Sequence, residues 1–375
     1  MKKNNIDKIF LGIVISLVLI GLACFTSASL GILARSEKEF YGVIFSQFVL
    51  GLVGGVVALF IGLKIPYKFL RKYSLVIFIL SIIITALVLV PGIGKTYGGA
   101  RRWINVFGYS FQPVEFLKIG FIIYFSAWLS WAKTKVKDPL FSILPLMVLI
   151  GIIALVLLKQ PDTKSIILIT TTSMVMLFVS GTPIKHIVGL FGGALIGFAI
   201  LVYFTPYLQE RVQTFINPSA NSQTSSYQLQ QSLIAVGSGG ILGRGLGQSV
   251  QKFNYLPEPQ GDSIFAVIGE ELGFVGASLI VLLFVAFIFR GFRIATRNAP
   301  DSFSKLLVIG LVTIMTAQSF MNIASTTGVF PLTGVPLVFV SHGGTALLLS
   351  LGMVGIILNI SRFQGKNSEN KRNKE

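Results

Sequence analysis

The residues able to do chemistry fall in three short segments between long apolar blocks. The first is Gly98-Gly99-Ala100-Arg101-Arg102-Trp103, followed closely by Gln112-Pro113-Val114-Glu115-Phe116-Leu117-Lys118. Glu115 and Lys118 are three residues apart, so on a helix they share one face and can pair. Arg101 and Arg102 lie just upstream, and a guanidinium suits bidentate contact with phosphate. Ionisable groups at membrane depth are costly and by default mark a site or a pathway. The bland alternative is a structural pair that neutralises itself.

The second segment is Lys159-Gln160-Pro161-Asp162, where Asp162 suits either a helix cap or a site role. The third runs from Lys252 through Glu258 and Asp262 to Glu270-Glu271. Asp262 also fits a helix N-cap. Equally, a carboxylate at a membrane surface beside apolar Ile264 and Phe265 is placed for a raised pKa and general-base work. Position alone leaves both readings open. Glu270 and Glu271 read as structural, paired with Arg or Lys from another span. Gly94-Lys95-Thr96 lacks the earlier glycine of a phosphate loop, since Leu89 stands there, and no strand–helix unit surrounds Gly243-Arg244-Gly245-Leu246-Gly247. Those glycines serve backbone packing or close approach to a ligand. One cysteine, Cys24, and two histidines, His186 and His342, exclude an internal disulfide and a Cys/His zinc cluster.

The elements that must position these segments are membrane helices. Hydrophobic residues make up 53% of 375 positions and charged residues 12%. Apolar blocks near the roughly 20 residues of a bilayer crossing recur along the chain. Ten spans are expected, at 9–33, 42–63, 73–90, 114–131, 140–158, 165–181, 187–204, 263–289, 305–324 and 345–360. The fold class is therefore an all-α polytopic membrane protein of ten transmembrane helices, with both termini on one side. Connections on that side carry 20 Lys and Arg against 10 on the other, so both termini are expected to be cytoplasmic. The same asymmetry accounts for the net charge of +17, and no basic–aromatic surface for nucleic acid is present. The longest connection, 205–262, is then extracytoplasmic. Met1–Lys8 with its apolar run reads as a retained first helix, not a cleaved signal. Residues 1–362 form one membrane domain, and 363–375 a basic disordered tail.

Taken in order, these segments resemble the SEDS (shape, elongation, division, sporulation) family. The resemblance is carried by Gly-Gly-Ala-Arg-Arg-Trp-Ile, Gln-Pro-Val-Glu-Phe-Leu-Lys and Gln-Pro-Asp. Tyr-Leu-Pro-Glu-Pro-Gln-Gly-Asp-Ser-Ile-Phe-Ala-Val-Ile-Gly-Glu-Glu-Leu-Gly-Phe and Val-Pro-Leu-Val-Phe-Val-Ser-His-Gly-Gly complete it. It extends from the first span to Arg362, and its details are closer to the division branch than to the elongation branch. It implies ten helices and a glycosyltransferase that polymerises lipid II (undecaprenyl-diphosphate-linked disaccharide peptide) outside the cytoplasmic membrane. It also implies a class B penicillin-binding transpeptidase and other division membrane proteins as partners. Asp262 matches the family's catalytic position, and Arg102 and Lys118 match basic residues needed for activity. The candidate substrate-binding set is Arg101, Arg102, Gln112, Glu115, Lys118, Lys159, Asp162 and Glu258, with no metal-ligand set. One base suffices for a single inversion, because diphosphate leaves without a general acid. Its charge must be met by Arg102, Lys118 or a divalent cation, Mg²⁺ or Mn²⁺. The chain departs from the family pattern at Gly261 and Ser263 around Asp262, at Thr163-Lys164 after Gln-Pro-Asp, and at His342. Two rivals remain at this stage: a lipid-linked sugar transporter using Glu115, Lys118, Glu270 and Glu271, and a non-catalytic scaffold for the transpeptidase.

Overall fold

The computed structural model describes residues 5–97, 100–106, 109–217 and 225–363. Gly98-Gly99, the centre of the Ser/Gln/Asn stretch at 218–224, and the tail from 364 lie outside them. Nine helices among the described residues are long and apolar enough to cross a membrane. They are α1 (Lys8–Leu33), α2 (Glu37–Lys64), α4 (Pro113–Ala132), α5 (Pro139–Leu158), α6 (Thr163–Ser180), α7 (Ile184–Phe204), α10 (Ile264–Arg297), α11 (Ser302–Thr326) and α12 (Gly344–Ser361). A further apolar helix, α3 (Ser74–Leu87), is shorter at 14 residues. At helical rise that is about 21 Å, against a hydrocarbon core of about 30 Å. It completes the expected ten.

Local chemistry explains the boundaries. Asp138 caps α5 ahead of Pro139, Asp162 caps α6, and left-handed Gly181 ends α6. Asp301 forms a capping box with Ser304 at α11. Packing is uneven. α11 is buried along most of its length and forms the centre of the bundle, whereas α7 buries none of its residues.

Two features correct an all-α expectation of ten plain helices. Between α3 and α4 lies a three-stranded antiparallel sheet, β1 (Gly94–Tyr97), β2 (Ala100–Val106) and β3 (Tyr109–Phe111), in the order β1-β2-β3. Also, α10 runs 34 residues and is interrupted at Gly273, whose φ of 64° and ψ of −165° are not helical. The break frees backbone groups, and the glycine-rich segment fills them. Arg244 N and Gly245 N donate to the Glu270 and Glu271 carbonyls at 3.0 Å, while Phe274 N and Val275 N donate to Gly240 and Ile241 carbonyls. A β-carbon on Gly243 would lie 2.1 Å from the Glu271 carbonyl oxygen. Gly243 thus serves backbone packing, whereas Gly245 and Gly247 meet no backbone so closely and take left-handed φ values of 107° and 85°.

Because the spans alternate in direction, one face of the bundle gathers the sheet, the turn at 159–162, the 205–263 connection and the 327–343 connection. The 205–263 connection contains two helices, α8 (Pro206–Ile216) and α9 (Ser225–Ser238). The site lies on this sheet-bearing face.

Candidate active site

Asp262 ends the long connection, and the helix cap reading does not describe it. The N-cap of α10 is Ser263, and no side chain caps that end. The Asp262 carboxylate instead accepts a hydrogen bond from Gln228 of α9 at 3.3 Å, while Gln228 also donates to Ser263 Oγ at 3.0 Å. Three consecutive carbonyls fix the backbone. Gln260 O accepts from His342 N at 2.7 Å, Gly261 O from Ser341 Oγ at 2.7 Å, and Asp262 O from Asn322 Nδ2 at 2.7 Å. Asn322, on α11, also donates to Val335 O at 2.7 Å. The connection bearing His342 is tied in turn to α2, where buried Gln47 donates to Ser341 O and accepts from Gly343 N.

Burial raises the Asp262 pKa, and the nearby Lys164 ammonium, Arg211 guanidinium and Gln228 amide oppose that rise. Burial also raises Glu258, and the Asp262 charge adds to the effect. His342 stacks on Phe25 at 5.7 Å and is held by burial down at about 4, so it is neutral at pH 7.

Two cations missed as site residues stand beside Asp262. Lys164, in the first turn of α6, donates to the Gly334 carbonyl, and Arg211, on α8, donates to the Leu332 carbonyl. A β-carbon on Gly334 would lie 3.2 Å from Asp262 Oδ2, 3.8 Å from Lys164 Nζ and 3.9 Å from Arg211 Nη2. Three charged groups from three elements therefore converge on one point. The signal for Lys164 was its departure from the family pattern; Arg211 was visible only as one loop charge among several.

The expected residues divide by location. Arg102 donates through Nε to the Gln160 carbonyl at 2.9 Å and through a second nitrogen to the Pro161 carbonyl, clamping the turn before α6. Asp162 is buried and caps α6, accepting from Ser165 N at 3.4 Å and Ser165 Oγ at 2.8 Å. Its carboxylate is within electrostatic reach of Lys164. Glu258 lies three residues from Gly261, whose added β-carbon would be 3.4 Å from Glu258 Oε2. Arg101 and Lys159 are exposed, and Gln112 is buried ahead of α4. Glu115 and Lys118 form a closed buried pair at 2.7 Å, and Lys118 Nζ also donates to Gln318 Oε1 at 2.6 Å. Gln318 reaches the Pro336 carbonyl at 3.2 Å, so this pair connects to the 327–343 connection through α11.

Glu270 and Glu271 are structural, but their charged partners, Arg244 and Lys252, come from the preceding connection and not from another span. Glu271 pairs with buried Lys252 at 2.7 Å, and Ser27 of α1 joins that pair. Glu270 accepts from Ser249 Oγ at 2.6 Å and from Val250 N at 3.0 Å, with Arg244 at 3.5 Å.

The donor set beside Asp262 does not suit a divalent cation. Among the described residues no group of three or more His, Cys, Asp or Glu is arranged to hold a metal ion. The Lys164 ammonium lies within electrostatic reach of both Asp162 and Asp262 and would repel a further cation there.

A polytopic helical membrane bundle with a half-buried acid–base cluster on one face is the class this fold and site define. The family model for cell cycle proteins (FtsW, RodA and SpoVE) matches residues 7–366, and the chain belongs to that family. Stage V sporulation protein E of Bacillus subtilis (strain 168) is 38% identical over 367 residues, covering 96% of this chain and 98% of that protein. A probable peptidoglycan glycosyltransferase FtsW of Coxiella burnetii is 38% identical, covering 92% and 94% respectively. Among solved structures, a chain from a peptidoglycan synthase complex that coordinates polymerization and crosslinking superposes with a TM-score of 0.78. It is 26% identical and covers 95% of this chain and 98% of its own. Thermus thermophilus rod shape determining protein RodA, at 24% identity and a TM-score of 0.70 over 96% of this chain and 98% of that one, has the same fold.

Proposed function

We propose that this chain is a peptidoglycan glycosyltransferase that polymerises lipid II at the outer face of the cytoplasmic membrane, for septal wall synthesis. The observation that carries the reading is the Asp262 carboxylate, desolvated at the start of a membrane helix and faced by two cations from other elements. Relatives named probable peptidoglycan glycosyltransferase FtsW, at 34% to 38% identity over nearly their full length, support it.

The chemistry follows from these groups. The acceptor sugar hydroxyl gives its proton to the Asp262 carboxylate as its oxygen attacks the donor's anomeric carbon. The bond from that carbon to the diphosphate oxygen breaks, and its electron pair leaves with the lipid diphosphate. One displacement inverts the anomeric centre. Arg211 and Lys164 meet the negative charge that develops, and Arg102 holds the turn that presents Lys164. The sheet-bearing face is outside, both termini are cytoplasmic, and a class B penicillin-binding transpeptidase crosslinks the product. A transporter reading loses its polar pathway, because Glu115, Lys118, Glu270 and Glu271 are all held in closed pairs.

The test is purified protein given lipid II, with the products resolved by chain length. Wild type should make glycan strands. Asp262→Asn keeps the shape and removes the base, so polymerisation should fall by about 10²–10⁴-fold, the usual contribution of a positioned base. Undiminished polymerisation by a folded Asp262→Asn protein would end this assignment and move the search to Glu258 and Asp162.

A further inference from the structure

The Lys164 side chain is a cation within electrostatic reach of two carboxylates, Asp162 and Asp262. Asp162 caps α6 two residues before it and is buried, and Asp262 comes from the end of the 205–263 connection. Such an arrangement is the one in which a divalent ion commonly bridges acidic groups and a diphosphate. Here Lys164 Nζ holds the position, anchored by its bond to the Gly334 carbonyl, and Arg211 adds a second fixed charge around the same point.

We propose that Lys164 and Arg211 act as a built-in dication for the departing diphosphate, and that this chain polymerises without a divalent metal. The inference rests on the glycosyltransferase reading and deepens it. The step balances without a metal. The acceptor hydroxyl proton goes to Asp262, the new bond forms at the anomeric carbon, and the breaking bond leaves its electron pair on the diphosphate. The ammonium and guanidinium offset the charge that arrives there. A fixed ammonium also does work a metal would do for the base, because its charge favours the ionised carboxylate. The other groups facing Asp262 are Arg211 and Gln228, which favour its ionisation, and Glu258, whose own carboxyl the Asp262 charge pushes up.

Removing the ammonium should convert the site. In Lys164→Ala, Asp162 and Asp262 lose the ammonium within reach of both, Arg211 alone remains beside Asp262, and a divalent ion should enter. The experiment measures polymerisation of lipid II in EDTA and in millimolar Mg²⁺ or Mn²⁺, alongside Mn²⁺ binding by electron paramagnetic resonance. Wild type should be unchanged by EDTA to within about twofold and bind no Mn²⁺ that depends on Asp262. Lys164→Ala should lose about 10²-fold in EDTA, as when one charge-stabilising group is deleted. It should regain activity with Mn²⁺ or Mg²⁺, bind Mn²⁺, and lose that binding when Asp262→Asn is added. Lys164→Arg keeps the charge and should remain insensitive to EDTA; sensitivity there counts against the proposal. A wild type that polymerises only with a divalent ion, or that binds Mn²⁺ through Asp262, overturns the proposal. So does a Lys164→Ala protein that neither binds Mn²⁺ nor responds to it. If wild type makes no glycan under any ion condition, the glycosyltransferase reading falls, while the Mn²⁺ binding of the two proteins still decides this one.

Discussion

A carboxylate that takes a proton from a sugar hydroxyl must be ionised at working pH and yet basic enough to accept it. Asp262 meets both demands through opposing causes: burial raises its pKa, while Lys164, Arg211 and Gln228 hold the rise in check. The sign of the pH effect follows. A base is active when deprotonated, so activity should be lost as pH falls through the Asp262 pKa, which lies above the ordinary carboxylate range near 4. Removing the Lys164 charge takes away a group that favours the carboxylate, so in Lys164→Ala the acidic limb should move to higher pH. A pH–kcat/KM profile of the residual activity measured in EDTA checks this, and an unmoved limb would mean that Lys164 does not act on the base. At this scale the sequence pointed to Asp262 but not to its environment. Chain position puts Asp262 at a membrane surface, whereas Lys164, Arg211, Gln228 and Asn322 meet it only through packing of α6, α8, α9 and α11. The capping reading was equally consistent with the sequence until Ser263 proved to be the cap position.

The elements supply rigidity where the residues supply charge. The 327–343 connection is fastened at several points: Asn322 to Val335, Lys164 to Gly334, Arg211 to Leu332, and Gln47 to Ser341 and Gly343. Gln47 lies in a π-helical stretch of α2, Ser46–Val53. A π-turn widens a helix locally, and nothing in the Ser-Gln-Phe-Val-Leu-Gly-Leu-Val sequence marks it. The sheet was equally hidden, because three strands of seven residues or fewer between two spans read as loop. The spans were legible, since an apolar run of about 20 residues has few alternatives to crossing the bilayer. Gly334 is the sharpest test at this level. Its φ of +63° is left-handed, which costs other residues about 1 kcal/mol. A methyl group there would also stand 3.2 Å from Asp262 Oδ2, where the reacting groups must come. Gly334→Ala should therefore lower the thermal midpoint slightly while reducing polymerisation at least about tenfold, as a small misplacement at a reacting centre does. Parallel losses of stability and activity, both restored by cooling, would assign Gly334 to folding alone.

The whole molecule orients the site through charge that never touches it. The two terminal segments and the connections that join α2 to α3, α4 to α5, α6 to α7 and α10 to α11 together hold 20 Lys and Arg, and those on the sheet-bearing face hold half as many, 10. Basic residues resist translocation, which supports the proposed orientation, with the rich side in the cytoplasm and Asp262 facing outward. Two ion pairs tie elements together on that side, Asp7 with Arg290 at 2.8 Å and Asp301 with Arg71 at 3.5 Å. An outward site matches a donor whose energy is carried in its own diphosphate, because no nucleotide is needed there. The native thiol, Cys24, is buried in α1, so introduced cysteines can report topology against a quiet background. Leu242, 80% exposed at the glycine-rich segment, lies on the sheet-bearing face, and Thr134 lies in the exposed connection after α4. Leu242→Cys should react with a membrane-impermeant maleimide in intact cells, and Thr134→Cys only after permeabilisation. Labelling of Thr134→Cys in intact cells with protection of Leu242→Cys would invert the molecule, leave Asp262 in the cytoplasm, and remove an extracytoplasmic polymerase from consideration.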